Sequence, residues 1–310
     1  MPISRLIVAW IRMIRLPILF LCCFGAVVGA LNSAVYYDIS ISYFQIFMII
    51  LCAAFVSTGT MVHNDVTDLK SDKVNRPHKP LPSGIIKEKT ASITGIVLLV
   101  LAVVLSLFIN ILDYKTINWN CGMLTVALVV IALYYNHYGK FHGIFGHMAV
   151  AFGVGVIPYF GAIAIFPDKY FLMLPLAVAI FFQEIGREIM VCVGDYNGDL
   201  KAGFKTTPVR MGRIKSMYVA LLFYLAFIPL YILPAYDWLN IGAPQVFGTI
   251  YLIGGMILAI TLIVTWILSY RVVIKGNEDK IWAAFEIYER TGTRVMIIVF
   301  QIFIFIEVFY

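Results

Sequence analysis

Apolar runs of about 20 residues recur along nearly the whole chain and limit its possible folds more than any other feature. They lie near 17–37, 43–63, 91–112, 119–137, 147–167, 170–192, 214–235, 247–270 and 291–310. A helix of about 20 apolar residues is long enough to cross the hydrocarbon core of a bilayer. Of the 310 residues, 62% are hydrophobic and 13% charged, which is more apolar surface than a soluble domain can bury. The sequence therefore predicts an all-α polytopic membrane protein with about nine transmembrane helices.

The basic residues fall on one side of this predicted membrane topology. If the N-terminus lies inside, the inner connections carry 21 of the 23 Lys and Arg residues, and only Lys115 and Lys169 lie outside. Such a bias is typical of the cytosolic loops of membrane proteins, and it explains the net charge of +6 without a nucleic-acid partner. We predict a multi-pass cell-membrane protein whose N-terminus and long polar loops are cytosolic and whose C-terminus lies outside.

A polar stretch at the inner end of the second run is the first candidate for chemistry. If the helix continues through it, Asn64, Asp68 and Asp72 lie on one face, about a turn apart. Mg²⁺ binds one or two carboxylates together with substrate phosphates, which would relieve the repulsion between these acids. Arg76 follows in a Pro-rich loop and can bind phosphate oxygens through two parallel hydrogen bonds. The alternative is a solvated helix end that only marks the membrane surface.

A second polar stretch, with Asp195 and Asp199 at i and i+4, ends the sixth run and is followed by Lys201 and Lys205. Because four runs separate the two stretches, the same unit occurs twice in the same orientation. This repeat suggests a single domain over 1–310, with halves of four helices at about 12–140 and 141–270 and a ninth helix at about 291–310. Together the two stretches suggest a metal-bridged diphosphate held between the halves.

Two further groups of polar residues have ordinary explanations as well as functional ones. Tyr135 and Lys140 end the fourth run on the same side as both acidic stretches, where they are candidate diphosphate contacts or part of an aromatic belt at the membrane surface. Arg187 and Glu188 lie about two turns before Asp195, at a depth where ionisable side chains are costly. They form part of the site or a structural pair within the bundle.

These motifs together resemble the UbiA family of membrane prenyltransferases over nearly the whole chain. The resemblance rests on Asn64-Asp65-x-x-Asp68-x-x-x-Asp72, the Asn-Arg-Pro-x-Lys-Pro-Leu-Pro-Ser-Gly loop, Tyr135 to Lys140, Asp195-x-x-x-Asp199 and Gly203-Phe204-Lys205-Thr206-Thr207-Pro208. The Asn-Arg-Pro loop and the Arg187-Glu188 pair are most similar to the branches that make digeranylgeranylglyceryl phosphate or resemble chlorophyll synthase. Asn197 and His147 stand where those relatives usually carry a glutamate and an asparagine.

The resemblance implies nine helices around a central cavity that holds Mg²⁺ and a prenyl diphosphate. It implies metal or diphosphate ligands at Asn64, Asp68, Asp72, Asp195 and Asp199, and diphosphate-binding side chains at Arg76, Tyr135, Lys140, Lys201 and Lys205. Stabilisation of the leaving pyrophosphate would promote ionisation of the allylic substrate, and apolar walls would shield the cation from water.

The alternatives that the sequence leaves open differ in the acceptor. The motif resemblance favours geranylgeranylglyceryl phosphate, whereas an aromatic acid would need a cation such as Arg12 or Arg15 for its carboxylate. A terpene cyclase would use no acceptor. A transporter is the non-enzyme alternative, but the charges cluster at helix ends rather than at mid-membrane.

Overall fold

In the computed structural model, residues 3–165, 172–235 and 247–309 are described, and they contain helices and turns but no β-strand. The helices are α1 (Ile3–Ile14), α2 (Leu16–Tyr37), α3 (Tyr43–Thr67), α4 (Leu69–Asn75), α5 (Glu88–Leu107), α6 (Trp119–His137), α7 (Ile144–Gly155), α8 (Ile157–Ile165), α9 (Leu174–Ala202), α10 (Thr207–Met211), α11 (Arg213–Ile232), α12 (Thr249–Ile274), α13 (Glu278–Phe285) and α14 (Thr293–Glu307). A 3₁₀ turn spans Gly139–Phe141, and a π-helical turn spans Glu286–Gly292.

The prediction of an all-α, multi-pass membrane protein is confirmed. Each of the nine apolar runs contains a helix, and within the described residues seven helical stretches are long and apolar enough to cross a membrane, α7 and α8 together forming one of them. The other two are α9, which carries acidic and basic side chains over its second half, and α14, which has 15 residues. The count of nine spans stays a prediction, and the predicted outer connection 167–169, with Lys169, lies outside the described residues.

The end of α3 keeps its helical course across the predicted acidic stretch. Asp68 is the capping residue between α3 and α4. Its N–H donates to the carbonyl of Asn64 at 2.9 Å, and the N–H of Asp72 donates to the carbonyl of Asp68 at 2.8 Å. These are i to i−4 bonds, so the chain rises by about one turn between successive members of the set. The expected placement of the three side chains on one face is therefore found.

Small residues allow the helices to pack closely on one side of the bundle. A Cβ atom at Gly161 of α8 would lie 1.9 Å from the carbonyl oxygen of Ala26 in α2, and one at Gly29 of α2 would lie 1.9 Å from that of Pro158. Close approach of backbones at small residues is the usual way in which membrane helices associate. This contact fixes α2 against α8 and closes that side of the central cavity.

The remaining helices complete the wall of the cavity. The pairs α3 with α5, α9 with α11, α7 with α9 and α12 with α14 pack against each other, and α14 also contacts α2. Large apolar side chains are exposed on the outer faces of these helices, as expected for surfaces that face lipid: Val97, Val100, Val130, Leu222 and Ile260. The polar side chains instead gather at one end of the bundle, where α3 and α9 end.

Candidate active site

A central cavity of about 370 Å³ opens among the helices and brings most of the predicted site residues together. Eight of the ten line it: Asn64, Asp68, Asp72, Arg76, Tyr135, Lys140, Asp195 and Asp199. Lys201 and Lys205 do not line it, and both are exposed. The structure thus places both acidic stretches on one cavity and leaves the two lysines after α9 outside it.

The first acidic cluster is held by cations from its own loop and from the adjoining turn. The amide nitrogen of Asn64 donates to Asp68 at 3.0 Å, and the ammonium of Lys140 forms an ion pair with Asp68. Lys79 Nζ lies 2.6 Å from a carboxylate oxygen of Asp72. Sequence reasoning did not assign Lys79 to the site, although its place in the Pro-rich loop was the available signal.

Asp65 is a further acid of this stretch that serves a different purpose. It is buried, does not line the cavity, and pairs with Arg15 at 2.5 Å and with Lys79 at 3.1 Å. Arg15 has a left-handed backbone conformation, with φ 54° and ψ 64°, where α1 turns into α2. Such a conformation is uncommon for a residue other than glycine. The ion pair with Asp65 therefore fastens this turn to the end of α3.

The second acidic cluster is neutralised by cations from distant parts of the chain. A guanidinium nitrogen of Arg76 lies 3.0 Å from one oxygen of Asp195, and Arg290 pairs with the other oxygen. Arg76 also lies 3.6 Å from Asp72. Asp199, one turn further along α9, accepts a hydrogen bond from the Thr206 hydroxyl at 3.2 Å. Arg76 consequently joins the two clusters across the cavity.

Arg290 belongs to the π-helical turn that precedes α14, which sequence reasoning did not assign to the site. Glu286 of this turn lies 3.0 Å from Arg290 and 3.4 Å from Arg76, so the turn contributes both signs of charge. Glu289 of the same turn is fully buried and accepts hydrogen bonds from Tyr224 and Ser269. Single π-helical turns are often found at functional sites. The charged residues Glu286, Glu289 and Arg290, just before the last apolar run, were the available signal in the sequence.

Lys140 and Arg76 each lie near acids of both clusters. Burial lowers the pKa of Lys140 to about 8, against the opposing effect of Asp199 and Asp195. Its ammonium lies 5.8 Å from the centre of the Tyr135 ring and 5.3 Å from that of Phe204. Burial also acts to lower the pKa of Arg76, but nearby carboxylates outweigh it and the pKa is raised. Arg76 therefore stays charged, whereas the lowered pKa of Lys140 lies close to neutral pH.

The pair Arg187 and Glu188 forms a separate ionic group further along the cavity wall. Arg187 donates two hydrogen bonds to Glu184 and one, at 2.5 Å, to Glu188. All three residues belong to α9 and line the cavity. The pair is therefore an internal ion pair of the bundle, and it also faces the cavity.

The oxygen-rich side chains of the two clusters fit a hard cation such as the Mg²⁺ that the sequence predicts. Within the described residues no group of three acidic, His or Cys side chains is arranged as a metal site, and Lys79 and Arg290 pair with the carboxylates of Asp72 and Asp195. The side-chain oxygen of Asn64, however, is buried with no hydrogen-bond donor, next to Asp68 on the cavity wall. A buried oxygen without a partner is costly unless a ligand satisfies it. The donor set is thus suited to Mg²⁺ once the cationic side chains turn to a bound anion.

Comparisons with known proteins show which family the whole chain resembles. The UbiA prenyltransferase family model matches residues 18–290. A digeranylgeranylglyceryl phosphate synthase from Sulfurisphaera tokodaii is 30% identical over 231 residues, which are 74% of this chain and 77% of that protein. A solved structure of a digeranylgeranylglyceryl phosphate synthase has a TM-score of 0.67 at 23% identity and covers 98% of this chain and 99% of its own. A UbiA homologue from Archaeoglobus fulgidus bound to GPP and Mg²⁺ has a TM-score of 0.66 at 17% identity, with coverage of 97% and 100%.

Proposed function

The chain belongs to the UbiA prenyltransferase family, and we propose that it transfers a prenyl group from an isoprenoid diphosphate to geranylgeranylglyceryl phosphate in a Mg²⁺-dependent reaction. The observation that carries the proposal is the meeting of two acidic clusters and their cations on one cavity with apolar walls. Support for Mg²⁺ comes from the Archaeoglobus fulgidus homologue, and support for the acceptor comes from the name of the Sulfurisphaera tokodaii relative.

In this proposal the acidic residues bind the metal or the diphosphate, and the neighbouring cations and Tyr135 contact the diphosphate. Metal or diphosphate ligands are Asn64, Asp68, Asp72, Asp195 and Asp199, and the diphosphate contacts in the cavity are Arg76, Tyr135 and Lys140. The bound metal would neutralise charge on the diphosphate oxygens and on the departing pyrophosphate. For the exposed Lys201 and Lys205, a diphosphate contact stays a prediction from the sequence.

The side chains already present account for the remaining requirements of the reaction. When a diphosphate enters, Arg76 and Lys140 exchange carboxylate partners for phosphate oxygens and stabilise the negative charge that grows as the C1–O bond breaks. The acceptor hydroxyl oxygen bonds to C1, pyrophosphate leaves, and the hydroxyl proton is released. The apolar walls, including Ile131, Ile180 and Ile297, exclude water that would otherwise convert the allylic cation to an alcohol.

We further propose that the polar end of the bundle faces the cytosol, with the N-terminus on that side and the C-terminus outside. The distribution of Lys and Arg supports this orientation. The division into halves at about 12–140 and 141–270 is proposed on the same sequence repeat. It is supported by equivalent packing in each half, because α3 lies against α5 as α9 lies against α11.

The test is an assay of the purified protein with Mg²⁺, labelled geranylgeranyl diphosphate and, in parallel, geranylgeranylglyceryl phosphate, para-hydroxybenzoate or no acceptor. Wild type is compared with Asp68→Ala, Asp195→Ala and the control Asp113→Ala, an acid at the opposite end of the bundle that accepts a hydrogen bond from Ser42. We expect Mg²⁺-dependent ether product only with the glyceryl phosphate, lost in the first two variants and kept in the control. Product only with the aromatic acid, or a hydrocarbon without acceptor, would assign another reaction of the family.

A further inference from the structure

One cation of the cavity has no ionic partner among the residues that the structure describes. In the described part of the chain, seven Lys and Arg side chains line the cavity, and six of them pair with carboxylates: Arg15, Arg76, Lys79, Lys140, Arg187 and Arg290. The seventh is Arg294, for which no carboxylate of a described residue lies within 4.0 Å. An unpaired guanidinium in an apolar cavity is costly, so it marks a place where an anionic ligand would be stabilised.

The acids near Arg294 are already engaged elsewhere. Glu184, Glu188 and Glu286 are close enough to act on it electrostatically. Both oxygens of Glu184 accept hydrogen bonds from Arg187, as does one oxygen of Glu188, and Glu286 pairs with Arg76 and Arg290. The cations Arg187 and Arg15 are also neighbours of Arg294. The region around Arg294 therefore offers a guanidinium with free donors rather than a completed ion pair.

Arg294 stands at the boundary between the polar and apolar parts of the cavity. Four residues before it is Arg290, which pairs with Asp195 in the proposed diphosphate site. After it on α14, the cavity-lining residues Ile297, Phe300 and Ile304 continue the same wall toward the apolar end. A lipid whose anionic headgroup met Arg294 would thus have its chain beside apolar side chains and its headgroup about one helical turn from the diphosphate site.

We propose that Arg294 binds the phosphate group of the acceptor lipid and so selects a phosphorylated acceptor over its unphosphorylated alcohol. The inference rests on the proposed function, because it names the side chain that recognises the acceptor of that reaction. A phosphate monoester carries close to two negative charges near neutral pH and accepts paired hydrogen bonds from a guanidinium. Binding there holds the glycerol hydroxyl near C1 of the prenyl diphosphate, and Arg76 and Lys140 remain free for the diphosphate itself.

The experiment measures KM and kcat for each substrate in Arg294→Met and Arg294→Lys, with geranylgeranylglyceryl phosphate and with geranylgeranylglycerol as acceptors. We expect Arg294→Met to lower kcat/KM for the phosphorylated acceptor by about 10- to 100-fold, as for loss of a charged hydrogen bond. KM for geranylgeranyl diphosphate and turnover of the unphosphorylated acceptor should each stay within about twofold. Arg294→Lys should recover part of the loss, because it keeps a point charge without the planar fork.

Two matched variants separate this effect from a general loss of charge or of folding. Arg290→Met, one turn away, should raise KM for geranylgeranyl diphosphate with either acceptor. Arg271→Met, which removes an exposed arginine at the end of α12, should match wild type. Unchanged KM for the diphosphate in Arg294→Met would show that this variant is folded.

Three results would overturn the inference. It fails if Arg294→Met lowers kcat/KM equally for both acceptors, if it raises KM for the diphosphate instead, or if it matches wild type with the phosphorylated acceptor. Absence of turnover of the glyceryl phosphate by wild type would be different, because the proposed function would then fall and this inference with it. If wild type does not use geranylgeranylglycerol, the two KM values of Arg294→Met decide the question. The inference holds if KM rises for geranylgeranylglyceryl phosphate and not for geranylgeranyl diphosphate, and it fails if both rise equally.

Discussion

The two acidic clusters face the same cavity, but they are built in different ways. The first lies where α3 passes into α4, and Lys79 from the loop just after it neutralises Asp72. The second lies within α9, an uninterrupted helix of 29 residues, and its Asp195 is neutralised by Arg76 and Arg290, which are far away in the sequence. The first cluster is a local motif, whereas the second exists only once the bundle has assembled.

Arg76 links the two clusters, because it contacts an acid of each. It follows the first cluster in the chain, lies 3.6 Å from Asp72, and forms its shorter contact, at 3.0 Å, with Asp195 of the second. The two clusters are therefore parts of one ionic network, with charge shared across the cavity. A substitution in one cluster should consequently alter how the other cluster contributes to activity.

The largest effect is expected from the acids themselves. Asp68→Asn and Asp195→Asn should each lower kcat/KM by about 100- to 1,000-fold, the range for loss of one electrostatic element of a transition-state site. If the clusters act as one network, the double variant should be little worse than either single variant. Steady-state rates with saturating Mg²⁺ provide the measurement. Losses that multiply in the double variant would show that the clusters work separately.

A smaller effect is expected from the arginine that joins the clusters. Arg76→Met should raise KM for geranylgeranyl diphosphate by about 10- to 100-fold, because a charged hydrogen bond is lost from the anion site. Arg76→Lys should lie between wild type and Arg76→Met, since an ammonium cannot reproduce contacts to both clusters. The KM for the diphosphate, measured at saturating acceptor, distinguishes the variants. Equal values for Arg76→Lys and wild type would mean that only the charge matters.

Two lysines, one that lines the cavity and one that is exposed outside it, give a further comparison. Lys140→Met should raise KM for the diphosphate at least about tenfold, because Lys140 lines the cavity and contacts the first cluster while lying near the second. Lys201→Met removes an exposed charge after the second cluster and should stay within about twofold. Binding of a non-hydrolysable prenyl diphosphate analogue gives a second readout. A tenfold change in Lys201→Met would extend the anion site beyond the cavity.

The smallest effect is expected on the exposed side of the second cluster. Glu278 of α13 accepts hydrogen bonds from Arg213 and Asn197, the closest at 2.6 Å. Because the Glu278 carboxylate is exposed to solvent, Glu278→Gln should lower the free energy of unfolding by less than about 1 kcal/mol and leave kcat/KM unchanged. A shift in melting temperature of several degrees or a loss of activity would contradict this.

Glu278 also predicts in which direction the stability of the fold changes with pH. The hydrogen bond from Arg213 lowers the pKa of Glu278, so the folded state favours its charged form. The stabilisation is then present above the ordinary glutamate pKa and is lost as pH falls through the lowered value. The difference between wild type and Glu278→Gln in melting temperature should accordingly shrink as pH falls below the ordinary glutamate pKa of about 4.3 and vanish once pH is below the lowered value. A difference that persists in acid would have to come from another contact.

The contrast between the clusters also explains what the sequence could and could not predict. Apolar runs and the Asn64-to-Asp72 spacing are local, and a helix places such residues on one face whatever surrounds it. The contributions of Arg290 and Glu286 depend on how a distant turn packs, which no spacing encodes. Lys201 illustrates the reverse case, because it is close to Asp195 in the sequence but does not line the cavity. Six residues along a helix amount to a rotation of about 240°, so Lys201 points away.

The size of the cavity has a consequence for how the enzyme must be measured. At about 370 Å³ it lies near the lower end of the roughly 300–1,000 Å³ range of small-ligand pockets, so two C20 isoprenoid chains do not fit inside it together. Part of the isoprenoid must then remain dissolved in the bilayer. The relevant substrate concentration is accordingly a mole fraction in two dimensions, and adding inert lipid at fixed bulk substrate should slow the reaction by dilution of the surface alone.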